Sequence, residues 1–296
     1  MDGSGLTTDE TAGVLAGSEI GTPIVVASHP RSGTHLTLDL LRKQFSACQS
    51  SLWVWEPLSH LYLNLDKLTD AQRYYDVEEA CSLLGRADRP TVKTHSLPAL
   101  DQFSGRRHRL AKEVLSEGDV LYVVRDVRDV LCSMYLWEKE RHPEYDGSVS
   151  EYLHDPPDRP SYAAERLTTD LNYLQQWVQH VRAWVQGPDV LVLQFEDILH
   201  EPRPAIESLS ERLQLSPRYE MPLLPEKRTS TSRWANYWRR LTRNYESTAV
   251  VGRPDSNRSL DWEEAFSEED CRYVHDEAGE LLIQLGYEED DGWVTA

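Results

Sequence analysis

Residues 28–35 have the composition and the position of an anion-binding loop. They follow an apolar run and precede a helical pattern over residues 34–45 whose apolar side chains share one face. The first backbone N–H groups of a helix have no helical partner and point at a bound anion. Gly33 lets the backbone approach closely, and Arg31 adds a permanent positive charge. The N–H groups that we expect to face the anion are those of Ser32, Gly33, Thr34 and His35.

The loop differs from the nucleoside-triphosphatase pattern G-x-x-x-x-G-K-[ST], because it lacks the first Gly and the Lys. In that pattern the Ser or Thr after the Lys holds Mg²⁺. A donor with a sulfuryl group carries less charge and can bind without the metal, which fits this loop better. Taken alone, the loop is also compatible with an ordinary strand-to-helix turn.

His95 is the candidate general base. It lies two residues after Lys93, at the end of a run that begins at Thr91. An imidazole with its ordinary pKa of about 6.5 can serve as a base at neutral pH. A histidine considered alone is more often structural, but its place after Lys93 at a strand end favours catalysis. Lys93 itself either lies near the ligand or pairs with a carboxylate.

Arg125 and Ser133 are candidates for a second phosphate site. If residues 125–133 formed one helix, the two would lie about 12 Å apart along its axis, too far to share a phosphate. We therefore expect Arg125 to end a strand and Ser133 to lie on the helix that follows. A guanidinium and a hydroxyl make a sound pair for a phosphate monoester. The alternative is a surface ion pair of Arg125 with Asp129 or Asp126, and we expect Arg128 to form such a pair.

In order and spacing these segments resemble the sulfotransferases that use 3′-phosphoadenosine-5′-phosphosulfate (PAPS), over about residues 23–287. The matching segments are Pro30-Arg31-Ser32-Gly33-Thr34, Lys93-Thr94-His95-Ser96-Leu97-Pro98, residues 122–133, Gln194-Phe195-Glu196-Asp197 and residues 262–287. The resemblance implies a bacterial-type member with a P-loop-like fold, which uses PAPS as co-substrate and requires no metal. It implies that the 30–34 loop binds the 5′-phosphosulfate and that Arg31 stabilises the departing 5′-phosphate. By the same resemblance His95 is the catalytic base, and Arg125 with Ser133 binds the 3′-phosphate.

The chain departs from the family pattern where the adenine would stack. Thr-His-Leu stands where many animal members have Thr-Thr-Trp after the loop glycine, so the indole is missing. Trp234, Trp238 or Phe195 is the candidate replacement, and Phe195 stands where a Tyr is often found. His35 either packs beside the loop or donates a hydrogen bond to the sulfate.

A second departure concerns the late Arg-Lys-Gly segment that holds the 3′-phosphate in the family. It is absent here, and Arg253 and Arg258 are the nearest substitutes. Residues 222–262 contain the one basic island of the chain, which predicts a lid or rim that attracts an anion, with a solvated helix face as the alternative. The basic residues of the island are Lys227, Arg228, Arg233, Arg239, Arg240 and Arg243.

An aromatic cluster offers candidates for the acceptor site. Trp53 and Trp55 could stack on a sugar or an aryl ring, and Lys93 lies near the base. Glu56 either acts as a second base or orients a hydroxyl. The alternative is an edge strand with core tryptophans. We expect a small-molecule or glycan hydroxyl as acceptor, and the sequence does not choose among phenols, alcohols, sugars and lipid headgroups.

Apolar runs alternate with helical patterns along the chain, which is typical of strands buried on both faces of a parallel sheet. The runs are residues 23–27, 91–93, 120–124 and 190–193. Apolar residues at helical spacing predict a helix between Leu167 and Val185, before Gly187. The alternation predicts a single α/β domain, a central parallel sheet flanked by helices, with its ligands at the carboxyl ends of the strands.

Composition limits the partners and the location. The chain has 296 residues, 40% of them hydrophobic, and a net charge of −19, which argues against sequence-independent binding of nucleic acid. The four cysteines are far apart, and no apolar stretch resembles a signal peptide or a membrane span. We therefore expect a cytoplasmic protein with a flexible tail at 1–21 and one sulfotransferase-like domain at 22–296. Monomer and homodimer are both compatible with the sequence.

Two other functions remain open at this point. A P-loop kinase acting on a nucleoside or small metabolite would require Mg²⁺ and ATP, and the missing G-K-[ST] counts against it. A catalytically silent nucleotide-binding module gains some support from the substituted adenine and Arg-Lys-Gly positions.

Overall fold

Five parallel strands form one sheet in the order β2-β3-β1-β4-β5 in a computed structural model of the chain. The strands are β1 Ile24–Ser28, β2 Leu63–Asn64, β3 Thr91–Thr94, β4 Asp119–Val124 and β5 Leu191–Gln194. The structure describes residues 13, 15, 19–53, 56–69, 75–99, 104–154, 171–187, 189–226, 238, 241, 248 and 260–295. The predicted α/β class and the predicted parallel sheet are confirmed.

Helices connect the strands and cover both faces of the sheet. They are α1 Thr34–Gln44, α2 Leu65–Thr69, α3 Val77–Leu84, α4 Arg106–Glu117, α5 Val127–Arg141, α6 Val149–His154, α7 Tyr173–Val185, α8 Phe195–His200, α9 Pro202–Leu213, α10 Trp262–Ala265 and α11 Glu268–Gln284. Short 3₁₀ turns occupy Ser46–Cys48, Leu58–Leu61 and Asp291–Thr295.

Strand register brings the predicted functional segments to one edge of the sheet. Ala27 is paired with Thr94, Ser28 with Val123, and Val124 with Gln194. Because parallel strands end together, the residues that follow β1, β3, β4 and β5 meet at their carboxyl ends. These following segments contain the 29–33 loop, His95, Arg125 and Phe195.

The core consists of two apolar layers, one on each face of the sheet. Successive residues of the central strands alternate between the layers, as Val25 and Tyr122 do on one face and Val26 and Val123 on the other. Trp177 of α7 lies fully buried in the first layer. Burial of a large apolar side chain contributes about 1.5–3 kcal/mol, so this double-sided packing fixes the strand ends firmly.

Helix α7 begins later than the sequence predicted. Leu171 lies outside the helix, which starts at Tyr173. The reason is the cap at Asn172, whose side chain accepts from the backbone N–H of Gln175 at 2.9 Å while the Gln175 side chain bonds back to the N–H of Asn172. The helix ends at Val185, shortly before Gly187, as predicted.

The predicted domain boundaries stay predictions. Within the 1–21 segment, Leu15 is buried and its N–H donates to Glu113 of α4 at 2.9 Å. Most of the basic 222–262 segment lies outside the described residues. Across the ranges given above, no helix has the length and apolarity needed to cross a membrane.

Candidate functional site

The loop between β1 and α1 depends on the backbone freedom of its glycine. Gly33 caps α1 with φ 95° and ψ 15°, in the left-handed region that side chains disfavour. A Cβ at this position would collide with the ring of Phe195. Arg31 also has a positive φ, 69°. The loop therefore packs tightly against the start of α8, and only glycine fits at its last position.

Serine and threonine hydroxyls line the inside of the loop. Ser28 Oγ and Thr34 Oγ1 lie 2.5 Å apart and close the loop across its base. The N–H of Ser32 donates to the carbonyl of His29 at 3.2 Å, so it is already paired within the loop. The Ser32 hydroxyl is buried and has no hydrogen-bond partner in the structure. The hydroxyl, rather than the N–H, is thus the group that Ser32 offers to a ligand.

Three residues predicted to bind phosphate come together beside this loop. Arg31 Nε donates to Ser133 Oγ at 3.1 Å, and Arg125 Nη1 donates to the Arg31 carbonyl at 3.4 Å. Burial, with the nearby charge of Arg125, lowers the pKa of Arg31. Two neighbouring guanidinium groups repel each other, so a bound anion would relieve the repulsion.

Arg125 follows β4 directly, and Ser133 lies on α5, as the spacing predicted. The Arg125 guanidinium lies over the ring of Phe195, 4.8 Å from the ring centroid, and donates to Asp129 at 3.2 Å. Arg125 therefore forms the ion pair with Asp129 that the sequence offered as an alternative, and it also contacts the loop. Arg125 Nε is buried and has no hydrogen-bond partner in the part of the chain that the structure describes, which leaves one donor for a ligand.

Arg128 has a different role. Its guanidinium pairs with Asp126 at 2.6 Å and with Glu288 at 2.5 Å, and it lies over the rings of Trp262 and Trp293. The prediction that Arg128 forms an ion pair is confirmed. It anchors the C-terminal segment to the start of α5.

The His95 ring has a defined tautomer. Its Nδ1 lies 2.7 Å from the carbonyl oxygen of Ser28. Since a carbonyl only accepts, Nδ1 carries the proton and Nε2 keeps its lone pair. Burial, followed by the charge of Lys93, lowers the pKa of His95 well below its usual value. The imidazole is therefore neutral at pH 7 and can accept a proton at Nε2.

Lys93 and His35 lie in the same neighbourhood. Lys93 is buried, and burial lowers its pKa while the charge of Asp66 opposes that shift. Burial and the charges of Lys93 and Arg31 lower the pKa of His35 to about 3. His35 Nδ1 lies 2.8 Å from Thr248 Oγ1. His35 is thus a neutral group beside the loop.

The acceptor candidates are less organised. The Trp53 side chain is 68% exposed. Both carboxylate oxygens of Glu56 accept from Arg86, at 2.6 and 3.1 Å. These bonds are the main reason that the pKa of Glu56 falls to about 2. A carboxylate held this way is a poor base, so the geometry opposes that role; its role in contacting an acceptor stays a prediction.

Several predicted residues lie outside the described part of the chain. They are Trp55, Trp234, Arg253 and Arg258. Trp238 is described and is 61% exposed. Phe195, by contrast, lies between Gly33 and Arg125, so it is the candidate for the adenine contact that the structure brings to the loop.

Two residues at the site carried no signal in the sequence. Asp66 of α2 and His180 of α7 bond to the backbone around His95. Neither belongs to a motif, and His180 lies within the apolar helical pattern of α7. Within the described ranges, no group of three or more His, Cys, Asp or Glu side chains could hold a metal.

Comparisons with known proteins identify the family to which the chain belongs. Residues 21–285 match the family described as the sulfotransferase domain. Sulfotransferase 2A2 of Rattus norvegicus is 23% identical over 204 residues, which cover 64% of this chain and 58% of the relative. A mouse sulfotransferase, SULT7A1, crystallised with PAP is 16% identical with a TM-score of 0.49, covering 90% of this chain and 85% of its own. A sulfotransferase from Alicyclobacillus acidocaldarius is 12% identical with a TM-score of 0.47, covering 89% and 95%.

Proposed function

Because the chain belongs to the sulfotransferase domain family, we propose that it transfers the sulfuryl group of PAPS to a hydroxyl, with His95 as the base. One observation carries this proposal. A neutral histidine, whose Nε2 has no partner among the described residues, follows β3 at the same sheet edge as the loop and the Arg31–Ser133 pair. A base and an anion site side by side are what the transfer of an anionic group to a hydroxyl requires.

The residues present fit the donor. The buried Ser32 hydroxyl and the buried Arg125 Nε both lack partners within the described ranges, and the ring of Phe195 leaves room for no side chain at position 33. The N–H groups at the start of α1 add a partial positive charge. We propose that residues 31–35 hold the 5′-phosphosulfate and that Arg125 and Ser133 hold the 3′-phosphate.

In this mechanism PAPS supplies an activated sulfuryl group, and the protein positions the acceptor and manages charge. His95 Nε2 accepts the proton of the acceptor hydroxyl, while the Ser28 carbonyl holds the ring through Nδ1. Arg31, together with the N–H groups of Gly33 and Thr34, faces the negative charge that grows at the 5′-phosphate. The neutral state of His95 means that no proton must leave the ring first.

The acceptor is proposed only as a class, a hydroxyl of a small molecule or glycan. Trp53, Trp55, Glu56 and Lys93 stay the predicted contacts. The aligned segment spans 58% of the curated relative, so substrates are not carried over from it. The cytoplasmic location and the choice between monomer and homodimer also stay predictions.

Two measurements test the proposal. Thermal shift should show stabilisation by PAP (adenosine 3′,5′-bisphosphate) without Mg²⁺ and little by ATP–Mg²⁺. ³⁵S-labelled PAPS should then transfer its label to a member of a panel containing 4-nitrophenol, a sterol-like alcohol, a long-chain alcohol and a sugar. Stabilisation by ATP–Mg²⁺ alone would favour a kinase. Binding of PAP without transfer to any member of the panel would favour a silent module.

A further inference from the structure

The turn that carries His95 is held almost entirely by side chains from other elements. The N–H of His95 donates to Asp66 Oδ2 at 3.0 Å, and its carbonyl lies 3.1 Å from His180 Nε2. The N–H of Ser96 donates to Asp66 Oδ1 at 3.2 Å, and its carbonyl accepts from Trp184 Nε1 at 3.1 Å. All four backbone polar groups of these two residues therefore bond to side chains of α2 and α7.

Asp66 is chemically matched to this turn. Besides the two N–H groups, its Oδ1 accepts from the hydroxyls of Thr94 at 2.8 Å and of Ser96 at 2.9 Å. A carboxylate only accepts, and every one of these partners donates. The acid thus fixes three successive residues from one side.

His180 holds the turn from the other side. Its Nε2 faces a carbonyl, so Nε2 carries the proton and donates, while Nδ1 accepts from the Tyr122 hydroxyl at 2.9 Å. The ring is fully buried, and burial lowers its pKa to about 4. His180 is therefore a neutral hydrogen-bond donor, and its bond with the Tyr122 hydroxyl fixes its tautomer.

We propose that Asp66 and His180 are positioning residues that hold the His95 backbone so that its Nδ1 meets the Ser28 carbonyl and its Nε2 faces the acceptor. The inference rests on the proposed function of His95. Among the described residues, the bond from Nδ1 to Ser28 is the one that fixes the tautomer, and a shift of the turn by a fraction of an ångström would weaken it. Catalysis is sensitive to such displacement, since misplacing a group by about 1 Å can cost 10²-fold in rate.

Asp66→Asn tests the first half of the proposal. The Asn side chain has an NH₂ donor in place of one carboxylate oxygen, whereas the N–H and hydroxyl groups around it all need an acceptor. We expect kcat to fall roughly 10- to 100-fold while the Kd for PAP, measured by calorimetry, stays within about threefold. The matched control is Asp76→Ala, which removes the cap of α3, where Asp76 accepts from the Glu79 N–H at 2.7 Å. Helix α3 supplies none of the side chains that hold this turn. Asp76→Ala should lower Tm and leave kcat unchanged.

A pair of amides at position 180 tests the second half. The amide N–H of Gln reaches the place of Nε2, whereas Asn places its amide near Nδ1. His180→Gln should therefore retain several times more kcat than His180→Asn at similar Tm. Equal losses of kcat in the two variants would show that His180 only fills space.

Imidazole ¹⁵N shifts of His95 in the PAP complex give a readout that needs no acceptor. We expect the Nδ1–H tautomer in the native protein and a mixture of tautomers in Asp66→Asn. An unchanged tautomer together with native kcat in Asp66→Asn overturns the proposal. If the native protein transfers no sulfate, the proposed function fails, but the tautomer comparison still decides whether Asp66 positions the ring.

Discussion

The proposed donor side, which is the 28–34 loop with Arg125 and Ser133, differs in structure from the proposed acceptor side around Trp53 and Glu56. Around the loop the side chains of Ser28, Ser32 and Thr34 are buried, and among the described residues the Ser32 hydroxyl and Arg125 Nε have no hydrogen-bond partner. Around residues 53–56 the tryptophan is exposed and the acid is occupied by Arg86. From this difference we expect the fold to determine which group is transferred and the more exposed residues to determine which acceptor is used.

The largest expected effect is on the base. His95→Ala removes the only proton acceptor that the proposal assigns, so kcat should fall roughly 10²- to 10⁴-fold. The Kd for PAP should stay within about threefold, because His95 belongs to the transfer step. Steady-state kinetics with labelled PAPS measure the first quantity and calorimetry the second. His142→Ala, at a half-exposed histidine, is the control; full turnover in His95→Ala would remove His95 from the mechanism.

The second effect tests the donor side itself. Gly33→Ala places a side chain at φ 95° and against the Phe195 ring, so the Kd for PAP should rise at least about tenfold. The control is Gly105→Ala, at a residue that also has a positive φ, 96°, but has open space around a Cβ. It should cost about 1–3 kcal/mol of stability, because φ 96° with ψ 170° is a conformation that is essentially limited to glycine, without changing PAP binding. Equal PAP affinity in the two variants would show that the loop tolerates the change.

The third prediction concerns acid. Burial lowers the pKa of His29 and of His180, both less than 2% exposed, so the unfolded chain binds these protons below pH of about 6.5 and the native state does not. Stability should therefore fall between pH 7.5 and 5.5 by about 1.4 kcal/mol for each of these two histidines. His95 and His35, whose pKa values burial also lowers, should add to the loss. Urea titration at the two pH values measures the loss. His275→Gln is the control, because a hydrogen bond to Asp291 raises the pKa of His275; its removal should make the loss slightly larger.

The smallest effect is expected on the acceptor side. Glu56→Gln breaks the pair with Arg86 and should cost about 0–1 kcal/mol of stability, as partly exposed ion pairs do. The acid limb of the kcat profile should not move, because the proposal assigns proton transfer to His95. A shift of that limb would assign Glu56 a proton-transfer role after all. A rise in acceptor KM without a change in kcat would support its predicted contact.

Much of the donor side could be predicted from the sequence because its signals are local. A continuous apolar run marks a strand buried on both faces, and four runs fell within one residue of β1, β3, β4 and β5. The separation of Arg125 and Ser133 excluded a single helix and placed one at the strand end and one on α5, as observed. The two-residue strand β2 is too short to leave a pattern.

The support of His95 could not be predicted, for a physical reason. Asp66 and His180 recognise backbone N–H and carbonyl groups, which every residue has, across separations of 29 and 85 positions. The residue types at positions 95 and 96 therefore do not indicate which side chains bond to their backbone groups. The start of α7 was also misplaced. Apolar residues at helical spacing begin at Leu167, before the helix itself, whereas the capping bonds of Asn172 determine where the first turn begins.

The Arg128 ion pairs have a consequence for where the functional unit stops. The family match ends at residue 285, yet Glu288 and Trp293 hold the arginine that stands three residues from Arg125. Tyr287 also donates to Glu196, which accepts from the N–H of Asp126. A chain that ends at residue 285 would therefore keep the residues proposed to contact PAPS, but it would lose the contacts that Glu288, Trp293 and Tyr287 make with Arg128 and Glu196. We expect it to bind PAP more weakly than the full chain, although no residue after 285 is assigned to the ligand.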